Sequence, residues 1–227
     1  MADFVEVLLR KCGEALAEVE TIYARDVATH DLSDDLLYNI RAVVQDCQSA
    51  LDATATWVKD KYLKKSNWKP YFPLGTDPAD FAAKIEEQLK GLTAAQPDIT
   101  GAFERHQPYQ PGKAELGYLH KLARANKHAD FSEQTRTEQR GGVTLKRGGT
   151  TISYGPGVTF GRGVRLKGVP IDPTTQLPVP TPGVDVAVQI FVGWDFVDPP
   201  VPVLTTLQAL VHQTRAAVDD IHRGAAW

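Results

Sequence analysis

The chain has few cysteines and no long apolar run, and both features limit the kind of protein it can be. Only Cys12 and Cys47 could form a disulfide. Both fall at apolar positions of predicted helices, so we expect two reduced core thiols, although a disulfide between them stays open. No stretch approaches the ~20 apolar residues that cross a bilayer, and the N-terminus lacks the basic region of a signal peptide. We therefore expect a cytoplasmic protein with no membrane partner.

The sequence also lacks the common motifs of nucleotide and metal sites. It contains no P-loop, no Gly-x-Gly-x-x-Gly after a predicted strand, no Cys-x-x-Cys pair and no His-Glu-x-x-His. Segment 161–168 is basic and glycine-rich, but the alternation of Val164 and Leu166 favours a strand over a phosphate loop. We therefore predict no metal site and no bound cofactor.

Helical periodicity dominates the first part of the chain. Apolar residues recur at helical spacing through 4–27 and 36–62, which predicts an antiparallel hairpin of two long helices. Ser33 is a suitable N-cap for the second helix, and Asp77, which precedes Pro78, is a suitable N-cap for a third. Two shorter helices are predicted at 98–105 and 113–129.

After residue 135 the pattern changes to that of strands. Alternation on both sides of Gly148-Gly149 predicts a β-hairpin, and a further strand with glycine interruptions is predicted at 158–166. The proline-rich segment 170–183 is expected to be loop. Regular alternation from Val184 to Val192 predicts the best strand of the chain.

These patterns predict an α+β fold. We expect an antiparallel helical bundle at 1–135 and a β-rich insert with a small antiparallel sheet at 136–198. A C-terminal helix within 199–227 is expected to pack back on the bundle. Runs of helices followed by runs of strands argue against a parallel α/β fold.

Charge is distributed unevenly along the chain. The net charge is −3, yet residues 113–170 hold eleven Lys and Arg against four Asp and Glu. Such a basic block could attract a polyanion. The alternative, which the sequence leaves open, is that folding mixes these cations with acids from other segments.

The basic block begins with a polar stripe on the predicted helix 113–129. His120, Arg124 and His128 recur every four residues and therefore share one face, with Lys121 and Lys127 beside them. Arginine can hold a phosphate through paired hydrogen bonds, and histidine can move a proton near neutral pH. Together they could cleave RNA without a metal ion, with the ribose 2′-hydroxyl as the nucleophile.

A structural role for the stripe is equally consistent with the sequence. Cations are favoured near the C-terminal turn of a helix, and His128 could close that turn by donating to a carbonyl. The remaining histidines are expected at the surface or at helix ends; they are His30, His106, His212 and His222.

The segment from Leu116 to His128 has the pattern Leu-x-x-Leu-x-x-Leu-x-x-x-Asn-Lys-His and resembles the HEPN-like helical superfamily. It is similar in particular to bacterial proteins that add an upstream Phe-Pro element, here within 71–73, and a Gln-Pro-Tyr element, here 107–109. The resemblance covers about residues 35–130.

This resemblance implies an antiparallel bundle that often forms a homodimer. It also implies a metal-independent ribonuclease of a toxin–antitoxin or phage-defence system, although Ala125 stands where the family usually has a polar residue. Arg124 and His128 would take the catalytic positions. The residues expected to contact the substrate are His120, Lys121, Asn126 and Lys127.

The leading hypothesis is therefore a HEPN-like protein that binds RNA through the basic block. Whether it is also an enzyme stays open at this point. The alternative is a non-catalytic interaction or adaptor module that binds a protein partner. In that alternative, Arg124 would be buried in ion pairs with acids from residues 1–65.

Overall fold

The structure is a computed structural model that describes residues 2–29, 31–63, 67–127, 134–155 and 158–224. By its contacts the chain forms two compact units. One comprises Met1–Thr135 together with Trp194–Trp227, and the other comprises Arg136–Gly193.

All helices in the described part of the chain belong to the first unit. Their termini follow the sequence signals: the Ser33 hydroxyl accepts a hydrogen bond from the Leu36 amide, and Asp77 caps the third helix in the same way. No helix in the described ranges is both long and apolar enough to span a membrane. The helices are α1 (Ala2–Thr29), α2 (Asp34–Tyr62), α3 (Pro78–Gln88), α4 (Leu92–Ala95), α5 (Pro97–Arg105), α6 (Leu116–Lys127) and α7 (Val203–Gly224).

Helix α2 lies at the centre of the first unit and packs against α1, α6 and α7. The buried faces of these helices form one apolar core. Cys12 and Cys47 are both buried and free, which confirms the prediction of two reduced core thiols. A hydrogen bond with the Cys47 thiol, together with burial, raises the pKa of the Cys12 thiol, so the Cys12 sulfur remains protonated.

Most of the strands belong to the second unit. The sheet order is β2-β1-β5-β6, and β3 and β4 form a separate antiparallel pair. In the β1–β2 hairpin Leu145 lies opposite Ile152, and Gly148 and Gly149 both have positive φ in the turn, as predicted. The strands are β1 (Gln134–Arg147), β2 (Thr150–Tyr154), β3 (Arg165–Leu166), β4 (Val169–Pro170), β5 (Asp185–Phe196) and β6 (Val201–Pro202).

The α+β prediction is confirmed: a helical bundle is followed by antiparallel strands and a terminal helix. The strand predicted at 158–166 is wrong except for Arg165–Leu166. The Gln176 side chain accepts from the Phe160 amide at 2.7 Å and donates to the Phe160 carbonyl at 3.2 Å. These bonds occupy backbone groups that a strand partner would need.

Helices α5 and α7 are joined by a buried polar contact. His106, at the C-terminus of α5, is 7% exposed, and its Nε2 lies 3.1 Å from Asp220 Oδ2. Arg105 Nε donates to the same oxygen at 3.0 Å. His106 therefore sits at a helix end, as predicted, but it is buried. Burial lowers its pKa, and the hydrogen bond with Asp220 offsets that effect only in part.

His222 on α7 has a related environment. Its ring centroid lies 4.4 Å from that of Trp57, and burial lowers the pKa of its imidazole. Both histidines therefore bind a proton less readily in the folded chain than in the unfolded chain.

We predict that stability falls as the pH drops below about 6.5, because the unfolded chain then takes up protons that the folded histidines resist. Urea unfolding measures the slope of the free energy of unfolding against pH. The series runs from neutral pH down to about pH 5, which stays above the range in which ordinary carboxylates titrate. Replacing both residues, His106→Gln with His222→Gln, should flatten this slope. An equal slope in the double variant would contradict the assignment.

Candidate functional site

Helix α6 presents its polar stripe to solvent because its apolar residues face the core. Leu116, Leu119 and Leu122 are fully buried. With 3.6 residues per turn, this places His120 and Arg124 one turn apart on the opposite side. Both side chains are exposed.

The other residues predicted on this helix are placed as follows. Lys121 is exposed and forms an ion pair with Asp198. His128 lies outside the described residues, and so do the side chains of Asn126 and Lys127. The structure thus places one member of the predicted catalytic pair, Arg124, and leaves the position of its partner a prediction.

Arg124 makes no ion pair with any residue that the structure describes. No described acid therefore offsets the charge of its guanidinium, which lies at the surface. This differs from the arrangement expected of an interaction module, in which acids from residues 1–65 would neutralise it.

Beside this arginine lies a cavity of about 420 Å³, which we call the α6 pocket. Four parts of the first unit form its walls: α2, the segment between α2 and α3, α3 itself, and α6. The lining residues are Gln48, Tyr71, Phe72, Pro73, Leu74, Lys84, Glu87, Gln88, His120, Ala123 and Arg124.

The segment between α2 and α3, residues 67–76, forms one wall and has no regular secondary structure of its own. Side chains from the neighbouring helices satisfy its backbone instead. Gln88 Oε1 accepts from the Tyr71 amide at 3.0 Å, and Asp52 Oδ1 accepts from the Phe72 amide at 2.8 Å. These contacts hold the segment in place while Tyr71 as a residue stays 54% exposed at the pocket.

A third side chain, Gln107, completes this support and is itself fully buried. Its Oε1 accepts from the Gly75 amide at 2.8 Å, and its Nε2 donates to the carbonyls of Pro73 and Phe103, both at 2.9 Å. Gly75 needs to be glycine, because a Cβ there would lie 2.4 Å from the Phe81 nitrogen. The Phe-Pro element and the Gln-Pro-Tyr element of the sequence are thus joined by the hydrogen bond from Gln107 to the Pro73 carbonyl.

Gln48 contributes an acceptor without a partner. Its Nε2 donates to Asp52 Oδ1 at 2.9 Å, which fixes the orientation of the amide. Its Oε1 is buried and has no hydrogen-bond partner in the described part of the protein. Buried polar atoms are normally paired, so this acceptor is an exception in the wall of the pocket.

The charges around the pocket do not cancel. Glu87 Oε2 lies 3.5 Å from Lys84 Nζ, and Glu87 Oε1 accepts from Gln88 Nε2 at 2.9 Å. Glu87 is therefore already compensated, and Arg124 adds a positive charge. An exposed cation, an exposed tyrosine ring and an apolar floor suit a ligand that combines an anionic group with a flat ring.

No group of three or more His, Cys, Asp or Glu that could hold a metal ion occurs within the described ranges. The sequence predicted the cationic side of the site, Arg124 and His120. It did not predict Gln48, Lys84 or Gln88, since nothing local marks them. Tyr71 was singled out only as part of the resemblance.

We predict that Gln107→Leu destabilises the chain by about 3 kcal/mol, because it leaves the buried Gly75 amide and Pro73 carbonyl unpaired. Chemical denaturation measures the loss. Gln208→Leu, at an exposed position on α7, is the matched control and should change stability by less than about 0.5 kcal/mol. Equal losses in the two variants would show that the Gln107 amide does not support the segment.

Comparisons of the chain with protein-family models, with curated proteins and with solved structures found no match. A proposal for its function therefore depends on the geometry and chemistry of the α6 pocket.

Proposed function

We propose that this chain is an RNA-binding protein of HEPN-like type and that the α6 pocket is where it holds the RNA. The observation that carries the proposal is the exposed Arg124 guanidinium, which no described acid neutralises, at the mouth of a pocket with an exposed tyrosine. A guanidinium binds phosphate oxygens through two parallel hydrogen bonds.

The remaining walls match the other parts of a nucleotide. Tyr71 offers a ring on which a base can stack, and such stacking is tolerant of sequence. The apolar floor includes Phe72 and Ala123.

The pocket favours single-stranded over double-stranded RNA. In an A-form duplex the bases are stacked and paired, so a side chain cannot stack on them without opening the helix. A base in a single strand can turn out of the stack and enter a cavity of this size. The phosphate attached to it then lies at the rim, where Arg124 is.

We predict that Arg124→Gln weakens binding of single-stranded RNA about tenfold or more, because it removes a charge-assisted contact to phosphate. Fluorescence anisotropy with a labelled oligoribonucleotide measures the dissociation constant at several salt concentrations. The slope of log Kd against log salt should fall by about 0.7 for the lost phosphate contact.

The matched control for this experiment is Arg10→Gln. Arg10 is exposed on α1, pairs with Glu14 one turn away, and is not among the residues that line the pocket. The variant removes the same charge and should bind RNA like the wild type. If Arg124→Gln and Arg10→Gln behave alike, the α6 pocket is not the RNA site.

RNA cleavage without a metal ion is a second candidate function, and the placement of His120 in the same pocket as Arg124 favours it. The imidazole would take the proton of a ribose 2′-hydroxyl as its oxygen attacks phosphorus. The bond to the 5′-oxygen then breaks, and that oxygen takes a proton from water or from a second imidazolium. Arg124 would stabilise the charge on the phosphate oxygens.

We predict that the wild type cleaves labelled RNA in the presence of a chelator and leaves a 2′,3′-cyclic phosphate end. Arg124→Ala should abolish cleavage. Comparing His120→Ala with His128→Ala shows which of the two imidazoles cleavage requires. Each variant is first checked for an unchanged melting curve. If the folded wild type binds the RNA but leaves it intact, the chain is an RNA-binding protein that does not cleave.

A further inference from the structure

A second cavity of about 410 Å³ lies directly beside the α6 pocket. We call it the Trp68 pocket, after the exposed tryptophan on its wall. The two cavities share Glu87 and Gln88, so the end of α3 is the wall between them. Its other walls come from the end of α2, through Lys59 and Tyr62, and from Lys90.

Each pocket has one exposed aromatic ring from the same stretch of chain. Trp68 is 55% exposed and Tyr71 is 54% exposed, whereas Phe72, one residue further on, is 1% exposed. Three residues of fully extended chain span at most ~10 Å, so the Cα atoms of Trp68 and Tyr71 lie within that distance. The backbone positions that carry the two rings are therefore close enough to serve one short single strand.

The backbone that carries both rings is anchored. Lys59 Nζ donates to the Trp68 carbonyl, and Gln88 Oε1 accepts from the Tyr71 amide. Tryptophan rings bury a large part of their surface on average, and tyrosine is intermediate. Two exposed rings on a fixed backbone are instead preorganised to receive flat partners.

The Trp68 pocket also has a cation of its own. Lys59 is buried and already engaged by the Trp68 carbonyl and by Asp60. Lys90 is exposed and forms no ion pair with the residues that the structure describes. Lys90 therefore supplies an exposed cation to the Trp68 pocket, as Arg124 does to the α6 pocket.

We propose that the Trp68 pocket is a second nucleotide subsite and that single-stranded RNA binds across both pockets, with one base on Tyr71 and a neighbouring base on Trp68. This inference rests on the proposed RNA binding at the α6 pocket and adds its direction: the strand runs along residues 68–71 and past the end of α3. Arg124 and Lys90 contact phosphates on either side of the shared wall.

Binding as a function of RNA length tests this proposal. Adenosine 5′-monophosphate, diadenylate and tetraadenylate compete with a labelled hexaadenylate for the wild-type chain and for Trp68→Ala and Tyr71→Ala. A stacked base contributes about 5-fold to 150-fold in affinity. The wild type should therefore bind the tetranucleotide at least about fivefold more tightly than the mononucleotide.

The two variants should differ in a defined way. In Trp68→Ala, affinity should rise much less with RNA length than in the wild type. Its affinity for the mononucleotide should be unchanged, because the α6 pocket is intact. Tyr71→Ala should weaken the mononucleotide as well. Tyr38→Ala is the control, since Tyr38 is 68% exposed on α2, lines neither pocket, and should leave every affinity unchanged.

The outcomes separate this inference from the proposed function. If the affinity of Trp68→Ala still rises with RNA length as it does for the wild type, the second subsite is wrong. RNA binding at the α6 pocket would stand in that case. If hexaadenylate does not bind the wild type, or if Arg124→Gln has no effect on that binding, the proposed function itself fails. Because the Trp68 ring is exposed and its carbonyl makes the anchoring contact, Trp68→Ala should fold normally.

Discussion

The side-chain amide of Gln107 is the contact on which the candidate site depends. It is fully buried, and it joins the backbone of residues 73–75 to the end of α5 through one accepted and two donated hydrogen bonds. Residues 67–76 have no helix or strand to satisfy their backbone, so each buried peptide group there needs a partner from elsewhere. Asp52 and Gln88 supply two more. Without these side chains the wall shared by Tyr71 and Phe72 would have no defined position.

This mode of support explains how one short segment can combine buried and exposed aromatics. The Phe72 ring packs against that of Phe103, with centroids 5.0 Å apart, and belongs to the core. Tyr71, its neighbour, points its ring away from the core and remains exposed. The side chains that hold this backbone are two neutral amides, Gln88 and Gln107, and the Asp52 carboxylate. The cations that line the pocket include Arg124 on α6 and Lys84 on α3, and Lys84 Nζ lies 3.5 Å from a Glu87 carboxylate oxygen.

Several features of the fold and site follow from local pattern and were predictable for that reason. The caps at Ser33 and Asp77 act within three residues of themselves, so their sequence signals are sufficient. The exposure of His120 and Arg124 follows from the leucines that alternate with them on α6. The strand predicted from Val184 to Val192 was found as β5. However, Val186 and Val188 are exposed whereas Trp194 and Phe196 are buried, so the pattern located the strand without showing which part of it is covered.

By itself, then, the sequence determined most of the helices, the main hairpin, the position of β5 and the shared face of His120 and Arg124 on α6. Each of these depends on residues within about one or two turns of one another, where backbone geometry alone sets the spacing. Only the tertiary structure decided that Gln48, Tyr71, Gln88 and Arg124 line one cavity and that a second cavity lies beside it. Those residues come from four separate segments, and their meeting depends on how α2, α3 and α6 pack and on the buried amide that holds the segment between them. No periodic pattern encodes such contacts, because they are made between positions far apart in the chain.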